Sequence, residues 1–356
     1  MGWNPFDRRS PIGLDLGRRS FKAVQLARRG GGWHVTAATE IVRANGDGSP
    51  PDAAEIRQLV GTLWRHGFGG DQAVIAAPEE KLYSSMLDAP PRESGAPIEQ
   101  IARMELASVS RRDPQSLEVA CWALPQSTSR SANSHGSLMA VGCGQDDADS
   151  VLSLFDGSGL FPVAMDLGGA ALARVCAPAE DRIVPVLDLG WRSGRMTIVY
   201  GGVIAYQRDL IETAIEPLWQ RLAREMNTED EVTGYLLNDV GLGRAADAGT
   251  GETGAEQAEE VQTLVRDHFA EAMDELKLSF SYAQSQYGEE QLGQLVLVGG
   301  GAGIAGLPEH LSAKLEMEVV AMTPAERAQC PSNLLTACAK PSLTLATGLA
   351  MYEGEE

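Results

Sequence analysis

A duplicated pattern of strand, glycine turn and strand constrains the fold of this 356-residue chain more than any other feature. The segment IGLDLG, followed by the apolar alternation in FKAVQL, predicts a strand, a tight turn and a second strand. The segment VLDLGWRSGRMTIVY repeats this pattern, and Asp188 follows Asp15 by 173 positions, about half the chain. A helical pattern at residues 52–67 and a buried strand at 73–77 lie between the copies. The sequence therefore predicts an α/β protein with two related halves.

The segments around the two copies predict a further division of the chain into units. Helix and strand patterns that interrupt the first half favour an inserted small α+β domain, and an acidic helical stretch interrupts the second half. The predicted units are residues 1–90 with 160–182 (first large domain), 91–159 (inserted small α+β domain), 183–215 with 291–356 (second large domain) and 216–290 (small, mostly helical acidic subdomain).

Composition and charge exclude several classes of function. The net charge of −20 argues against a general nucleic-acid partner, because a phosphate backbone would be repelled. Five cysteines form no CxxC motif and five histidines have no metal-ligand spacing, so zinc chemistry is not expected. No run approaches the roughly 20 apolar residues that span a bilayer, and the N-terminus has no secretory signal pattern. We expect a cytoplasmic protein.

Three glycine turns are the candidate site. A strand that ends in Asp-Leu-Gly and turns tightly into the next strand points backbone N–H groups into the turn, where they can hold phosphate oxygens. Asp15 and Asp188, at two such turns, would hold a magnesium ion through water. The third turn, VGGGAGIAG, follows a buried strand and opens a helix, so Gly299 to Gly303 allow backbone to pack against a flat base. Each turn alone is a weak signal, and the order of all three is more specific.

The same residues resemble the superfamily of actin, the heat-shock-seventy proteins and the sugar kinases. Within it, IGLDLGRRSFKAVQL, VLDLGWRSGRMTIVYGGVIAYQRDL and LVLVGGGAGIAGLPEHL resemble the phosphate and adenosine segments of the PilM family, actin-like type IV pilus assembly proteins related to FtsA. The resemblance covers nearly the whole chain and implies an actin-like ATPase fold that binds ATP and magnesium. The nucleotide-binding residues it implies are Asp15, Gly17, Arg18, Arg19, Ser20, Lys22, Asp188, Gly190, Thr197, Gly299, Gly300, Gly301 and Gly303.

The residues nearest the expected nucleotide depart from the family pattern. Arg18 and Arg19 stand where the family has serine or threonine, although Lys22 is retained. The glycine pair expected after Arg208 is replaced by IETAIE, and a lysine is missing from EVTGYLL. Two guanidinium groups can clamp phosphate, and an exposed hairpin tip is an equally good interpretation of the arginines. The sequence leaves nucleotide binding open and favours weak or absent ATPase activity.

By resemblance, the function is that of a scaffold beneath the inner membrane. It would hold the N-terminal tail of a bitopic membrane partner such as PilN, and would pass the state of an assembly motor ATPase to it. An extended peptide needs a strand edge and apolar pockets. We place this groove near residues 73–90 and 138–143, at a free strand edge, with Met139 and Val141 as contact residues. Membrane association would then be peripheral, through the partner.

Three alternatives remain. An FtsA-like membrane-associated filament protein would end in a basic amphipathic helix, whereas this chain ends in MYEGEE. A small-molecule kinase of the same superfamily needs a general base, for which Asp15, Asp166 and Asp188 are the candidates. Residues 301–306 match the GxGxxG pattern of dinucleotide-binding enzymes, but only about fifty residues follow them, too few for the rest of such a domain.

Overall fold

Two five-stranded sheets of identical topology form the centre of the molecule. In the first sheet the strand order is β3-β2-β1-β4-β8, and in the second it is β11-β10-β9-β12-β13. In both, an antiparallel meander of three strands is extended by two parallel strands. The predicted duplication is confirmed. The structure is a computed structural model, and it describes residues 9–44, 48–88, 90, 95–125, 136–177, 182–243, 252–288 and 292–354.

The first sheet is built from the N-terminal third of the chain and from one later strand. Its helix α1 (Ala53–Arg65) begins at Asp52, whose carboxylate accepts from the backbone of Ala54 and Glu55 in a capping box. The apolar stripe of α1 packs on the sheet around Ile12 and Leu14. The strands are β1 (Ile12–Leu16), β2 (Ser20–Arg29), β3 (Gly32–Val42), β4 (Gln72–Ala76) and β8 (Phe161–Asp166), and α4 (Gly168–Cys176) follows β8.

The second sheet repeats this plan, and helices cover one of its faces. An apolar core, with 29 buried residues in the described part of the chain, joins the sheet to these helices. The strands are β9 (Val184–Leu189), β10 (Gly194–Tyr200), β11 (Val203–Leu210), β12 (Leu295–Val298) and β13 (Val319–Ala321). The helices are α5 (Ile215–Glu225), α6 (Asp230–Tyr235), α7 (Glu252–Ala270), α8 (Met273–Tyr287) and α9 (Leu307–Leu315).

A second core joins the two halves at their base. It combines apolar residues of β2 and α4 with residues of β9 and β12, such as Val24, Leu172, Val186 and Val296. The chain ends in this core with α10 (Leu335–Cys338) and α11 (Thr344–Ala350). Gly13 lies so close to α11 that a Cβ there would be 2.0 Å from the carbonyl oxygen of Ala346. The halves are therefore packed together below the edge where the glycine turns lie.

The inserted unit is a three-stranded antiparallel sheet in the order β5-β7-β6, covered on one face by a helix. Its elements are β5 (Tyr83–Asp88), α2 (Ile98–Ser110), β6 (Leu117–Ala123), β7 (Ser137–Gly144) and α3 (Gln145–Leu152). The structure differs here from the predicted division, which placed residues 83–88 in the first large domain. Tyr83 and Leu87 pack against the α2 side of the small sheet, which draws β5 into it.

The expectation of a free strand edge at Met139 and Val141 is wrong. Both residues lie in β7, the central strand, which pairs with β5 on one side and with β6 on the other. Their side chains are 8% and 6% exposed. Among the described residues, the edge strands of the small sheet are instead β5 and β6. Of the helices in the described part of the chain, none has the length and apolar character needed to cross a membrane.

Candidate functional site

The first glycine turn joins β1 to β2 and places a carboxylate beside an ammonium group. Asp15 and Lys22 are directly opposite in the hairpin, and Asp15 Oδ2 lies 3.2 Å from Lys22 Nζ. A Cβ on Gly17 would lie 2.5 Å from that nitrogen, so a larger residue would push the pair apart. Burial alone would lower the pKa of Lys22, but the carboxylates of Asp15, Glu40 and Asp188 together raise it. The predicted residues Asp15, Gly17 and Lys22 thus form one compact unit.

The second glycine turn joins β9 to β10 at the same edge of the molecule. Asp188 lies opposite Arg195, as Asp15 lies opposite Lys22. Gly190 closes the turn, and a Cβ there would be 2.6 Å from the carbonyl oxygen of Ser193. Burial and the nearby Asp15 raise the pKa of Asp188 to about 6, against the effect of Lys22 and Arg195. The two predicted aspartates therefore share one electrostatic environment.

The third glycine turn follows β12 and touches the second. Val298 is the parallel neighbour of Asp188, and Gly299 has φ 84°. A Cβ on Gly299 would lie 2.2 Å from Asp188 Oδ1. A Cβ on Gly300, in contrast, meets no described atom within 4 Å, and the nearest atom to one on Gly303 is Asn238 Oδ1 at 3.9 Å. Gly300 and Gly303 thus present open backbone, as a flat ligand requires.

Gly301 has a different role from its neighbours. It is buried, and a Cβ there would be 2.5 Å from Ile215 and 2.7 Å from Leu189. Its smallness lets the turn pack on α5 and on the end of β9. Gly301 therefore shapes the turn from beneath, while Gly300 forms its open face.

Glu79 is a cleft residue that the sequence analysis missed. It follows β4 in a single helical turn (Glu79–Lys81), and its Oε2 lies 2.8 Å from Nη1 of Arg195 in the other half. Burial raises the pKa of Glu79 to about 7, with Arg195 opposing the shift and Asp188, Asp209 and Asp15 adding to it. A carboxyl group with a perturbed pKa in a cleft is a typical feature of functional sites.

A signal for Glu79 was present in the predicted strands. The carboxyl ends of parallel neighbouring strands meet at one edge of a sheet, and ligands bind there in open α/β sheets. Because β4 runs parallel to β1, the residues after Ala76 had to approach Asp15. No local motif marks Glu79, and only the sheet order identifies it.

Two predicted site residues have other partners. Ser20 is 6% exposed, and its hydroxyl donates to Glu40 Oε1 at 2.9 Å. Thr197 lies deeper in β10, opposite Val186, where its hydroxyl accepts from Gln207 Nε2 at 3.2 Å. The structure therefore places both side chains in the framework beneath the turns.

Arg18 and Arg19, at the tip of the first turn, point in different directions. Arg18 forms an ion pair with Glu80 of the same half. The guanidinium carbon of Arg19 lies 4.7 Å from the ring centroid of Trp191 and 3.9 Å from that of Trp219. Its Nη2 is also 3.4 Å from Asp230 Oδ2. Arg19 thus reaches the second half, and Arg18 does not.

The cleft can offer a cation and open backbone to an anionic ligand. Lys22 supplies a buried positive charge, and the indole N–H of Trp191 is buried with no hydrogen-bond partner among the described residues. These features, with the open backbone of Gly300, fit a phosphate-bearing ligand with a flat base. Within the described ranges, no three His, Cys, Asp or Glu side chains form a metal-binding group. The magnesium role of Asp15 and Asp188 stays a prediction; carboxylates at two adjoining turns are of the type that would hold such an ion through water.

A second candidate surface lies on the face of the small sheet opposite α2. Met139, Val141 and Leu124 are buried there, with Leu82, Trp122 and Leu167 packed against them. Directly opposite residues of an antiparallel pair share a face, so Met86, paired with Met139, belongs to the same face. Met86 is 45% exposed and lies in the edge strand β5. We call this surface the Met86 face.

The topology and the three turns define an actin-like ATPase fold. The chain is similar to a solved PilM–PilN type IV pilus biogenesis complex, with a TM-score of 0.73 and 19% identity over 96% of this chain and 98% of that one. It is also similar to the ethanolamine utilization protein EutJ from Carboxydothermus hydrogenoformans, with a TM-score of 0.52 and 18% identity over 98% and 92% of the chains. The predicted fold class is confirmed.

The family assignment comes from the sequence. The family model described as type IV pilus assembly protein PilM matches residues 13–353, nearly the whole chain. The chain belongs to this family, as the resemblance of its turns indicated. A search of curated proteins found no match.

Proposed function

We propose that the protein is the cytoplasmic actin-like scaffold of a type IV pilus or related assembly platform. In this role it binds the N-terminal tail of a PilN-like bitopic partner on the Met86 face and holds ATP with magnesium in the cleft. Its place at the inner membrane is peripheral, through that partner, and the motor ATPase of the platform is the further partner that the scaffold role requires. The family match and the likeness to the PilM–PilN complex support this proposal.

The Met86 face is the observation that carries the partner proposal. It combines an exposed apolar side chain, an edge strand of the small sheet and an apolar cluster beneath them, which are elements of peptide recognition by strand addition. Trp122 also donates its indole N–H to the carbonyl oxygen of Ile204 in β11 at 2.8 Å. A peptide on this face would therefore act on a surface already tied to the second half.

Calorimetry with the N-terminal peptide of a PilN-like bitopic protein from the same genome tests the partner proposal. We expect binding that changes little with salt, because backbone pairing and apolar contacts dominate it. Met86→Asp places a charge on an exposed position of the face and should weaken binding at least roughly tenfold, about 1.4 kcal/mol. Met139→Asp and Val141→Asp would also weaken binding, but they place a charge in the central strand and disturb the fold.

Met104→Asp is the matched control. Met104 is 58% exposed on α2, on the opposite side of the same small sheet, so an equal change in charge leaves the Met86 face intact. Equal affinities of the parent, Met86→Asp and Met104→Asp proteins would reject the location. Absence of binding by the parent protein would reject the function itself.

A further inference from the structure

Arg19 crosses the cleft between the halves, as the Arg195–Glu79 ion pair also does. Arg19 extends from the first glycine turn and places its guanidinium over two neighbouring tryptophan rings of the second half. We propose that Arg19 is a latch that holds the cleft closed without a nucleotide. The inference rests on contacts within the chain and is independent of the proposed function.

The two rings that hold Arg19 are fixed by their own half. Trp219 is 8% exposed in the core of the second half, and its indole N–H donates to Asp230 Oδ1 at 3.2 Å. Trp191 packs edge-on against Trp219, with ring centroids 5.6 Å apart. Asp230 therefore orients one ring and also pairs with the guanidinium.

The other end of the latch is also anchored. Arg43, whose side chain is fully buried, pairs with Glu55 and donates to the carbonyl oxygen of Arg18 at 2.8 Å. The backbone of Arg43 donates to the carbonyl oxygen of Arg19 at 3.0 Å. The tip of the first turn is thus held by Arg43, just after β3, and through Glu55 by α1, so Arg19 connects this anchored turn to the second half.

The planar guanidinium suits this position better than the ammonium group of a lysine. It stacks on aromatic faces while its edge still donates to a carboxylate. A cation is attracted to the electron-rich face of an aromatic ring, more strongly where water is excluded, and here two rings share one cation whose side chain is 20% exposed. The ion pair with Asp230 adds little, because the carboxylate is 71% exposed. Stacking of the guanidinium on the two rings is therefore the main contribution of Arg19 to holding the halves together.

Arg18 provides a matched control from the neighbouring position. It has the same side chain and also forms an ion pair, but its partner Glu80 belongs to the same half. Removal of Arg18 therefore changes the charge of the turn equally without opening the cleft. Arg19→Lys retains the charge and removes the planar group, so it separates stacking from ion pairing.

Hydrogen–deuterium exchange of the full chain without nucleotide tests the latch. In Arg19→Ala we expect the amides of residues 188–196, in the unmutated half, to exchange about tenfold faster than in the parent. Arg19→Lys should show most of this increase and Arg18→Ala none. Exchange in α2, remote from the cleft, should stay unchanged in all variants and verifies that they are folded.

Two results would overturn the latch. Exchange at residues 188–196 that is equal in Arg19→Ala and the parent would show that the second half does not depend on Arg19. Acceleration confined to residues 15–22 would show that Arg19 stabilises only its own hairpin. The double variant Arg19→Ala with Trp191→Leu should exchange no faster than the faster of the single variants, because both changes remove the same contact.

Discussion

The two Asp-Leu-Gly hairpins have the same backbone and different electrostatics. In each, an aspartate near the end of the first strand lies opposite a cation in the second, Asp15 opposite Lys22 and Asp188 opposite Arg195. Lys22 binds Asp15 directly. Arg195 instead turns to Glu79 and to Asp209, whose Oδ1 lies 2.7 Å from its Nε. Among the described residues, Asp188 has no cation at salt-bridge distance.

The difference shows what duplication preserves and what it leaves free. Strand pairing fixes which residues lie opposite each other, but a long cationic side chain can form its ion pair with any carboxylate within its reach. Arg195 is drawn across the cleft because Glu79 follows a parallel strand of the other half. The aspartate of the first hairpin is therefore neutralised by the lysine opposite it. The second hairpin is joined to the opposite half by the ion pair between Arg195 and Glu79.

The largest expected effect is the loss of stability when the internal pair is broken. Lys22→Met leaves Asp15, Asp188 and Glu40 close together without their common cation, which should lower the free energy of unfolding by about 3 kcal/mol. Arg195→Met should cost less, about 1–2 kcal/mol, because Glu79 and Asp209 remain 30% and 55% exposed. Urea unfolding of the two variants measures both values.

The order of these two effects is the critical result. A larger loss in Arg195→Met than in Lys22→Met would show that the bridge between the halves, and not the internal pair, supports the fold. Asp15→Asn in the Lys22→Met background should recover part of the loss, since it removes one of the unpaired carboxylates.

The second effect concerns the ligand that the two hairpins would share. ATP with magnesium should stabilise the protein by RT ln(1 + [L]/Kd), about 2.7 kcal/mol at a hundredfold excess over Kd. Gly300→Val should abolish this gain without loss of stability, because its Cβ enters open space. Asp15→Ala should also abolish it, but it leaves Lys22 unpaired. Thermal unfolding with and without ATP is the measurement. A parent protein whose melting temperature is the same with and without ATP would show that the site does not bind the nucleotide.

Local spacing predicted the backbone of the site better than its side chains. Gly17, Gly190 and Gly299 lie at close approaches that tolerate no larger residue, and a strand ending followed by glycine is visible in the sequence. Glu79 and the target of Arg19 were not predictable locally. Each depends on a partner more than a hundred positions away, and the choice of partner follows from sheet order and cleft closure.

The small sheet shows the same limit. The apolar run in residues 137–144 identified a strand correctly, and nothing in that segment says whether the strand is central or at an edge. The answer depends on Tyr83 and Leu87, which pack on α2 and so bring β5 beside β7. This second pairing makes β7 the central strand. Predictions that named individual residues of one strand therefore could not locate the exposed edge.

The third effect is a dependence of stability on pH. The pKa values of Glu79 and Asp188 are raised to about 7 and about 6, from ordinary values of 4.5 and 3.8. A carboxyl group with a raised pKa binds its proton more tightly in the folded state, so its stabilising contribution is present at low pH and is lost as pH rises through the raised value. The free energy of unfolding should fall by about 1–2 kcal/mol between pH 5 and pH 8, allowing for the partial exposure of Glu79.

Glu79→Gln isolates the part of this dependence that belongs to the bridge. In the variant, the free energy of unfolding should change less with pH above pH 6. The pH dependence that remains near pH 6 should come from Asp188. The lowered pKa of Glu40, whose burial is outweighed by Lys22, Ser20 and Lys340, acts in the opposite direction and only at lower pH. A parent protein whose stability is constant from pH 5 to pH 8 would contradict the raised values.

The smallest expected effect is catalytic. We expect phosphate release from ATP at or near background, because Glu79, a cleft carboxyl group with a raised pKa that could orient a water, is held by Arg195. Asp15 is likewise engaged by Lys22. Glu79→Gln should therefore leave the rate unchanged in a continuous phosphate assay, with Gly300→Val as the control for contaminating ATPases. Steady release that is lost in both Asp188→Ala and Gly300→Val would show that the less neutralised hairpin supports turnover, and would make Asp188 the functional partner of the nucleotide.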